Sequence, residues 1–223
     1  MKKTFFALIV LLTFAAAPAV HAIDNNSRYI LGVHVDPMLS WFAPDNNRFS
    51  GSAASIGMNA GIEFEYKFAR RYSLLSGAAI DLRGGSLAYK RDGYKLKSRY
   101  DGKIDVPAGK TLDTRLRAFS VPFALNMRAI EIGYTTFFAT AGLLVSVPFY
   151  EDAKFEGTSY RSSGMYSPLF INYMLRLGVE YSLGGSSAIQ AGLVFDGSFL
   201  NMYRPGYGAT DMYSIGLRLG FVF

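Results

Sequence analysis

The chain has 223 residues, of which half are hydrophobic, 15% aromatic and 18% charged, with 23 Gly and no Cys. These values exclude a disulfide scaffold, a Cys-ligated metal site and a disordered chain. The formal charge is +6 and the mean hydropathy +0.16, yet beyond the N-terminus no segment reads convincingly as a membrane helix, which favours a barrel that crosses with strands.

Met1, Lys2 and Lys3 form a basic start, residues 4–17 an apolar run, and Val20 and Ala22 suit the −3 and −1 positions of a cleavage site. Residues 1–22 therefore read as a secretory signal peptide and residues 23–223 as one mature domain. Removing Lys2 and Lys3 leaves a mature net charge of +4.

Eight alternating runs follow. The first places Tyr29, Leu31, Val33, Val35, Leu39 and Trp41 on one parity and Gly32, His34, Asp36 and Ser40 on the other. In the second, Ile56, Met58, Ala60, Ile62, Phe64, Tyr66 and Phe68 alternate with Gly57, Asn59, Gly61, Glu63, Glu65 and Lys67. A period of two is a strand signal, because a helix would scatter these residues around its circumference. Comparable runs start near Tyr72, Phe119, Thr136, Leu169, Ile189 and Tyr213. The fifth run has no charge between Glu131 and Glu151 and could be taken for a helical span. Its Thr135, Thr136, Thr140, Val145, Val147 and Pro148 suit a strand better.

Each run is long enough to cross the hydrocarbon, which takes roughly 9–11 tilted residues. One parity is aliphatic and aromatic, the other rich in Gly, Ser and Asn with isolated charges of both signs. A soluble sandwich or lipocalin-like barrel would carry its charges outside. The pattern predicts an eight-stranded antiparallel up-and-down transmembrane β-barrel with a small, packed polar interior. Three connections are tight, at residues 69–71, 129–133 and 184–186. Four are longer, at residues 43–54, 84–117, 150–167 and 200–211. Short periplasmic turns and long outer loops are the expected arrangement. Aromatics cluster at the run ends, where rings prefer the membrane interfaces.

The segment Phe119-Ser120-Val121-Pro122-Phe123-Ala124-Leu125 resembles a strand of the PorT-like outer-membrane barrel family of Bacteroidetes, with Ser120 where Glu is common. The closing Gly216-Leu217-Arg218-Leu219-Gly220-Phe221-Val222-Phe223 is similar to the last strand of small OmpX/OmpA-like barrels. The resemblance covers the mature chain and implies a bacterial outer-membrane location, contact with outer-membrane lipid and insertion by the barrel-assembly machinery. It implies no activity.

His34 is the mature chain's sole His and lies on the inward parity. Pairing the first two runs places His34 near Glu63 if paired residue numbers sum to about 97, with Asp36 and Arg218 at similar depth. Arg176 is expected to approach Asp196 across the Gly184-Gly185 turn. These six residues read as an interior ion network, because buried charges demand partners, and Glu65, Asp81, Arg83 and Glu180 are expected to fill the lumen with them. An outer-membrane lipid hydrolase needs a Ser activated by His near the outer leaflet, whereas His34 faces the lumen. The chain is therefore expected to be non-catalytic and to need no cofactor or metal.

Residues 84–110 carry Lys90, Arg91, Lys95, Lys97, Arg99, Lys103 and Lys110 against Asp92, Asp101 and Asp105, a net +4 that matches the excess of the mature chain. Asp92-Gly93, between residues 87–91 and residues 94–97, is a hairpin signal. This outer loop could contact lipopolysaccharide phosphates or an acidic partner, or be an ordinary solvated hairpin. Nucleic acid is an unsuitable partner in this compartment, and no protein partner is legible. The expected role is structural or surface-interacting, with a narrow channel, a small-ligand carrier or an accessory factor of a secretion machinery as alternatives.

Overall fold

The computed structural model describes residues 28–45, 49–90, 94–97, 103–161, 165–204 and 210–223. The expected signal peptide and the Asp92-Gly93 pair lie outside them. The strands are β1 (Tyr29–Pro44), β2 (Phe49–Ala69), β3 (Tyr72–Tyr89), β4 (Tyr94–Lys97), β5 (Lys103–Val106), β6 (Thr111–Ile132), β7 (Thr135–Phe155), β8 (Thr158–Arg161), β9 (Phe170–Gly184), β10 (Ser187–Ser198) and β11 (Thr210–Val222). Eight of them close a barrel in the order β1, β2, β3, β6, β7, β9, β10, β11, and β11 pairs back onto β1. All these pairings are antiparallel. The short β8 extends the edge of β7, and β4 and β5 form a separate hairpin.

The pairing fixes the barrel's size. From Ile30 the ladder runs through Glu65, Leu75, Ala124, Gly142, Met174, Asp196 and Ser214, and it returns to β1 at Ser40 rather than Ile30. With ordinary strand dimensions that offset gives a tilt of about 40° and a backbone diameter of about 16 Å, an interior that side chains can just fill.

All eight runs appear as strands, and most extend further at the loop end. The described residues within 43–54 and 84–117 are mainly strand, because β2 begins at Phe49, β3 continues to Tyr89 and β6 begins at Thr111. The turn expected over residues 129–133 tightens to Gly133-Tyr134, since β6 passes a bulge near Arg128 and runs on to Ile132. Gly133 has φ 61° there, and Gly184 and Gly185 have φ 99° and 64° in the β9–β10 turn, a left-handed backbone that Gly adopts without a Cβ clash. The hairpin prediction needs correcting. Residues 94–97 pair with residues 103–106, not with residues 87–91, because β3 is already committed to β6 as far as Ala88 and Thr111.

Large hydrophobic side chains point outward on all eight barrel strands, among them Val33, Ile62, Leu74, Phe119, Leu143, Leu175, Leu193 and Leu217. In water an apolar surface wrapped round a whole molecule would drive aggregation; in a bilayer it is the required solvent contact. Rings mark both edges of the band. At the turn end Tyr29 lies 5.5 Å from both Phe64 and Tyr66, and Tyr134 lies 6.4 Å from Tyr181. At the loop end Trp41, Tyr213, Phe195 and Tyr173 follow one another at 6.0–6.3 Å across four adjacent strands. Phe119 and Phe149 pair at 4.7 Å on the β6–β7 wall.

Candidate functional site: the filled lumen

The inward face is polar over most of its height, and its charges are buried except for the half-buried Arg128 and Glu180 at the turn end. Nearest the turn end, Arg128 on β6 reaches sideways in both directions, to Glu65 on β2 at 2.9 Å and to Glu180 on β9 at 3.1 Å. Glu65 also accepts from Ser73 at 2.6 Å and from Asn126 at 3.2 Å. Thr140 donates to Asn126 at 2.9 Å. Each carboxylate thus has the charged and neutral donors that burial demands.

The next layer centres on Glu63. Its carboxylate takes Arg176 Nη1 at 2.6 Å and is also bound by Arg218 Nη2. Arg218 Nη1 holds Asp36 at 3.2 Å. His34 Nε2 donates to Asn59 Oδ1 at 2.8 Å, and its Nδ1 stands 3.5 Å from Glu63 Oε1. Gln190 ties the two layers together, accepting from Arg218 at 3.2 Å and donating to Glu180 at 3.1 Å. A third layer sits above, where Arg83 Nε holds Asp81 at 2.6 Å and its Nη2 holds Asp196 at 2.8 Å. Ser120 and Ser146 are hydrogen-bonded at 2.8 Å beside Asp81.

The six interior residues expected from sequence are therefore all buried in the lumen. Five of them, His34, Asp36, Glu63, Arg176 and Arg218, form one cluster. The sixth departs from expectation: Asp196 pairs with Arg83, and Arg176 with Glu63. The cause is barrel width. β2 and β9 are four strands apart in a ring of eight, as are β3 and β10, so each of these pairs braces diametrically opposite walls. An Arg spans that gap, and adjacency along the wall does not decide its partner. The first-pair register also shifts. His34 faces Gly61 and Glu63 faces Gly32, so His34 meets Glu63 diagonally.

Above the third layer the inward face turns apolar. Phe42, Leu87, Leu112, Leu116 and Met212 pack with Met165, Tyr166, Met202 and Tyr203 from the β8–β9 and β10–β11 connections. The rings of Tyr166 and Tyr203 lie 5.0 Å apart, and Phe42 lies 5.6 Å from Tyr203. Tyr166 donates to Thr114 Oγ1 at 2.9 Å. The two connections are tied by backbone bonds from Ser167 to Met202 at 2.9 Å and from Arg204 to Met165 at 3.1 Å. Tyr166 and Met202 are wholly buried although they belong to loops. Burial pushes the Tyr203 hydroxyl well above the usual tyrosine range, so it stays neutral. This apolar plug was missed from sequence. The available signal was the change of inward residues at the strand tops, from His34 and Asp36 to Met38 and Phe42 on β1 and to Leu112 and Leu116 on β6.

Of the expected basic loop, Lys90 is exposed and Lys95, Lys97 and Lys103 lie on the β4–β5 hairpin. Arg91 and Arg99 fall outside the described residues. Lys110 pairs with Glu156 at 2.9 Å on the surface.

Residues 26–204 match a family model described as outer membrane protein β-barrel domain. Among solved structures, the chain is similar to the Neisserial surface protein A, with 12% identity over 88% of this chain and 96% of that one and a TM-score of 0.52. Ail, the attachment invasion locus protein of Yersinia pestis, is similar at 13% identity over 88% of this chain and all of that one, with a TM-score of 0.45. OprG of Pseudomonas aeruginosa is similar at 11% identity over 88% and 96%, with a TM-score of 0.43. At these identities the likeness is one of fold. No curated protein matches the chain in sequence.

Proposed function

We propose that this chain, which belongs to the outer membrane protein β-barrel domain family and resides in the bacterial outer membrane, is a closed, non-catalytic barrel that acts through its outer surface. The observation that carries this reading is the filling of the lumen. Three ionic layers brace opposite walls, and an apolar plug lies above them. A narrow channel or a carrier would need a path past Arg83 and then between Tyr166 and Tyr203. The non-catalytic part rests on His34, whose ring nitrogens address Asn59 and Glu63 rather than a hydroxyl. With the interior occupied, the features left to act are the loop-end surface and the basic β4–β5 hairpin, whose charge suits lipopolysaccharide phosphates. The Phe119–Leu125 strand supports placement among PorT-like barrels, and the closing β11, followed by Phe223, suits reading by the barrel-assembly machinery.

Liposome swelling tests this reading. Vesicles containing the purified, heat-modifiable barrel should swell no faster in small sugars than protein-free vesicles. Swelling at a porin-like rate would refute the closed lumen and favour the channel.

A further inference from the structure

The outward face of the β6–β7 wall changes character abruptly at the top of the apolar band. On β6 it runs Leu125, Phe123, Val121 and Phe119 and then switches to Arg117, Arg115 and Asp113. On β7 it runs Leu143, Val145, Val147 and Phe149. A bulge opposite Arg117 and Ala118 then turns Tyr150 outward beside Arg117. Bulges are a common way to re-aim a side chain. The Arg117 guanidinium sits 4.8 Å from the Tyr150 ring centroid, and the Arg161 guanidinium of β8 sits 5.1 Å from the same ring. Two cations thus converge on one aromatic ring, immediately above the tilted Phe119–Phe149 pair. Exposed Arg115 and Lys154 lie on the same wall, with Asp113 and Asp152 as its acids. No described carboxylate lies within ion-pair range of Arg117.

The opposite side of the girdle is built differently. There Tyr213 is followed on the outward face by the acidic Asp211. The basic cluster is therefore local to one wall and sits where acyl chains give way to headgroups.

We propose that Arg117, Arg161 and Tyr150 form a binding site for the phosphorylated headgroup of an outer-leaflet glycolipid, whose acyl chains lie along Phe119 and Phe149. Stacking on Tyr150 holds both guanidiniums at the ring; the N–H edge of Arg117 forks onto phosphate oxygens and Arg161 adds its charge beside it. Arg115 and Lys154 add charge above. The lipid source is favoured over a soluble anion because the cluster faces sideways, in line with the lipid-contacting strand face, and not up into solvent. The site rests on the outer-membrane location and is independent of whether the lumen is closed. It is also separate from the β4–β5 hairpin, which forms its own two-stranded sheet.

Native mass spectrometry of the barrel, reconstituted with diphosphorylated lipid A or its dephosphorylated form, tests the proposal. The wild type should retain the phosphorylated lipid at least tenfold more than the dephosphorylated one, a comparison that needs no variant. R117Q/R161Q should remove that preference. R117K/R161K, which keeps the charge but loses the planar fork, should retain an intermediate part. Replacing Lys90, Lys95 and Lys97 with Gln should leave it intact, and millimolar inorganic phosphate should not displace the lipid. Equal retention of the two lipids by the wild type, or an undiminished preference in folded R117Q/R161Q, would overturn the site. Loss of the preference in the hairpin variant alone would place lipid binding on the loop instead.

Discussion

The two halves of the lumen solve one problem in opposite ways. Toward the turn end, inward positions carry Glu63, Glu65, Arg128, Arg176 and Arg218, and the space is filled by ions that brace one wall against another. Toward the loop end, the same parity carries Phe42, Leu112, Leu116 and Met212, and the space is filled by rings and thioethers brought in by two loops. An ionic filling is costly to desolvate but fixes register and width, because each charge accepts few partners. An apolar filling costs little to desolvate and tolerates irregular loops, because dispersion has no directional demand. Charges are used where strands alone must define the geometry, and apolar contacts where loops must dock. On the proposed reading, each half closes the lumen separately.

Breaking the ionic half should have the largest effect. Glu63→Leu strands Arg176 and Arg218 without their shared carboxylate, and such a loss destabilises by about 3–5 kcal/mol. Denaturant unfolding in lipid vesicles, followed by gel mobility, would register it. Replacing Glu63, Arg176 and Arg218 together with apolar residues of similar size, and their neighbour Asp36 with Asn, should cost much less, since no unpaired ion remains. An equal loss in both variants would argue against a pairing role.

Phe42→Ala in the apolar half should cost about 3 kcal/mol, the usual scale for a buried ring, and should expose Tyr166 and Tyr203 to limited proteolysis of their loops. Unchanged stability and protection would mean the plug does not hold them.

A smaller effect is expected at Gly85. A Cβ there would meet the Phe42 ring at 2.6 Å, so Gly85→Ala should cost about 1–2 kcal/mol by overpacking. Because the clash is with Phe42, the penalty should shrink in a Phe42→Leu background. Simple additivity in that double-mutant cycle would place the strain elsewhere.

Smallest of all is the stability effect of replacing Lys90, Arg91, Lys95 and Lys97 with Gln, within about 0.5 kcal/mol. Binding to lipopolysaccharide-containing liposomes should weaken and its salt dependence flatten, because each such cation contributes on the order of 1 kcal/mol near an anionic surface. Undiminished low-salt binding would leave the hairpin as a solvated loop.

The barrel was legible in the sequence because its physics is local. Alternation along Ile56, Met58, Ala60, Ile62 and Phe64 needs no knowledge of any other strand. Burial of Asp36, Glu63 and Arg218 follows from the same parity. Partner choice was less accessible. Arg176 reaches Glu63 across the barrel, and that contact depends on width and shear, which only the closed ladder defines. Loop docking was least accessible, since Tyr166, Met202 and Tyr203 lie in segments with no period to read. The outward turn of Tyr150 was hidden for a related reason, as a single bulge shifts the parity that the run from Phe137 to Phe149 otherwise keeps.

No continuous water path is expected across the barrel, and single-channel recording in planar bilayers can detect one. The purified wild-type protein should give no stable current across the usual voltage range. Tyr166→Ala/Tyr203→Ala should also stay silent, because the ionic layers lie in series beneath the plug. Removing Glu63 and Arg176 as well should still leave it silent, because the Arg83 and Arg128 layers remain in the path. A steady, reproducible conductance step from the folded wild-type barrel would mean that the lumen is open.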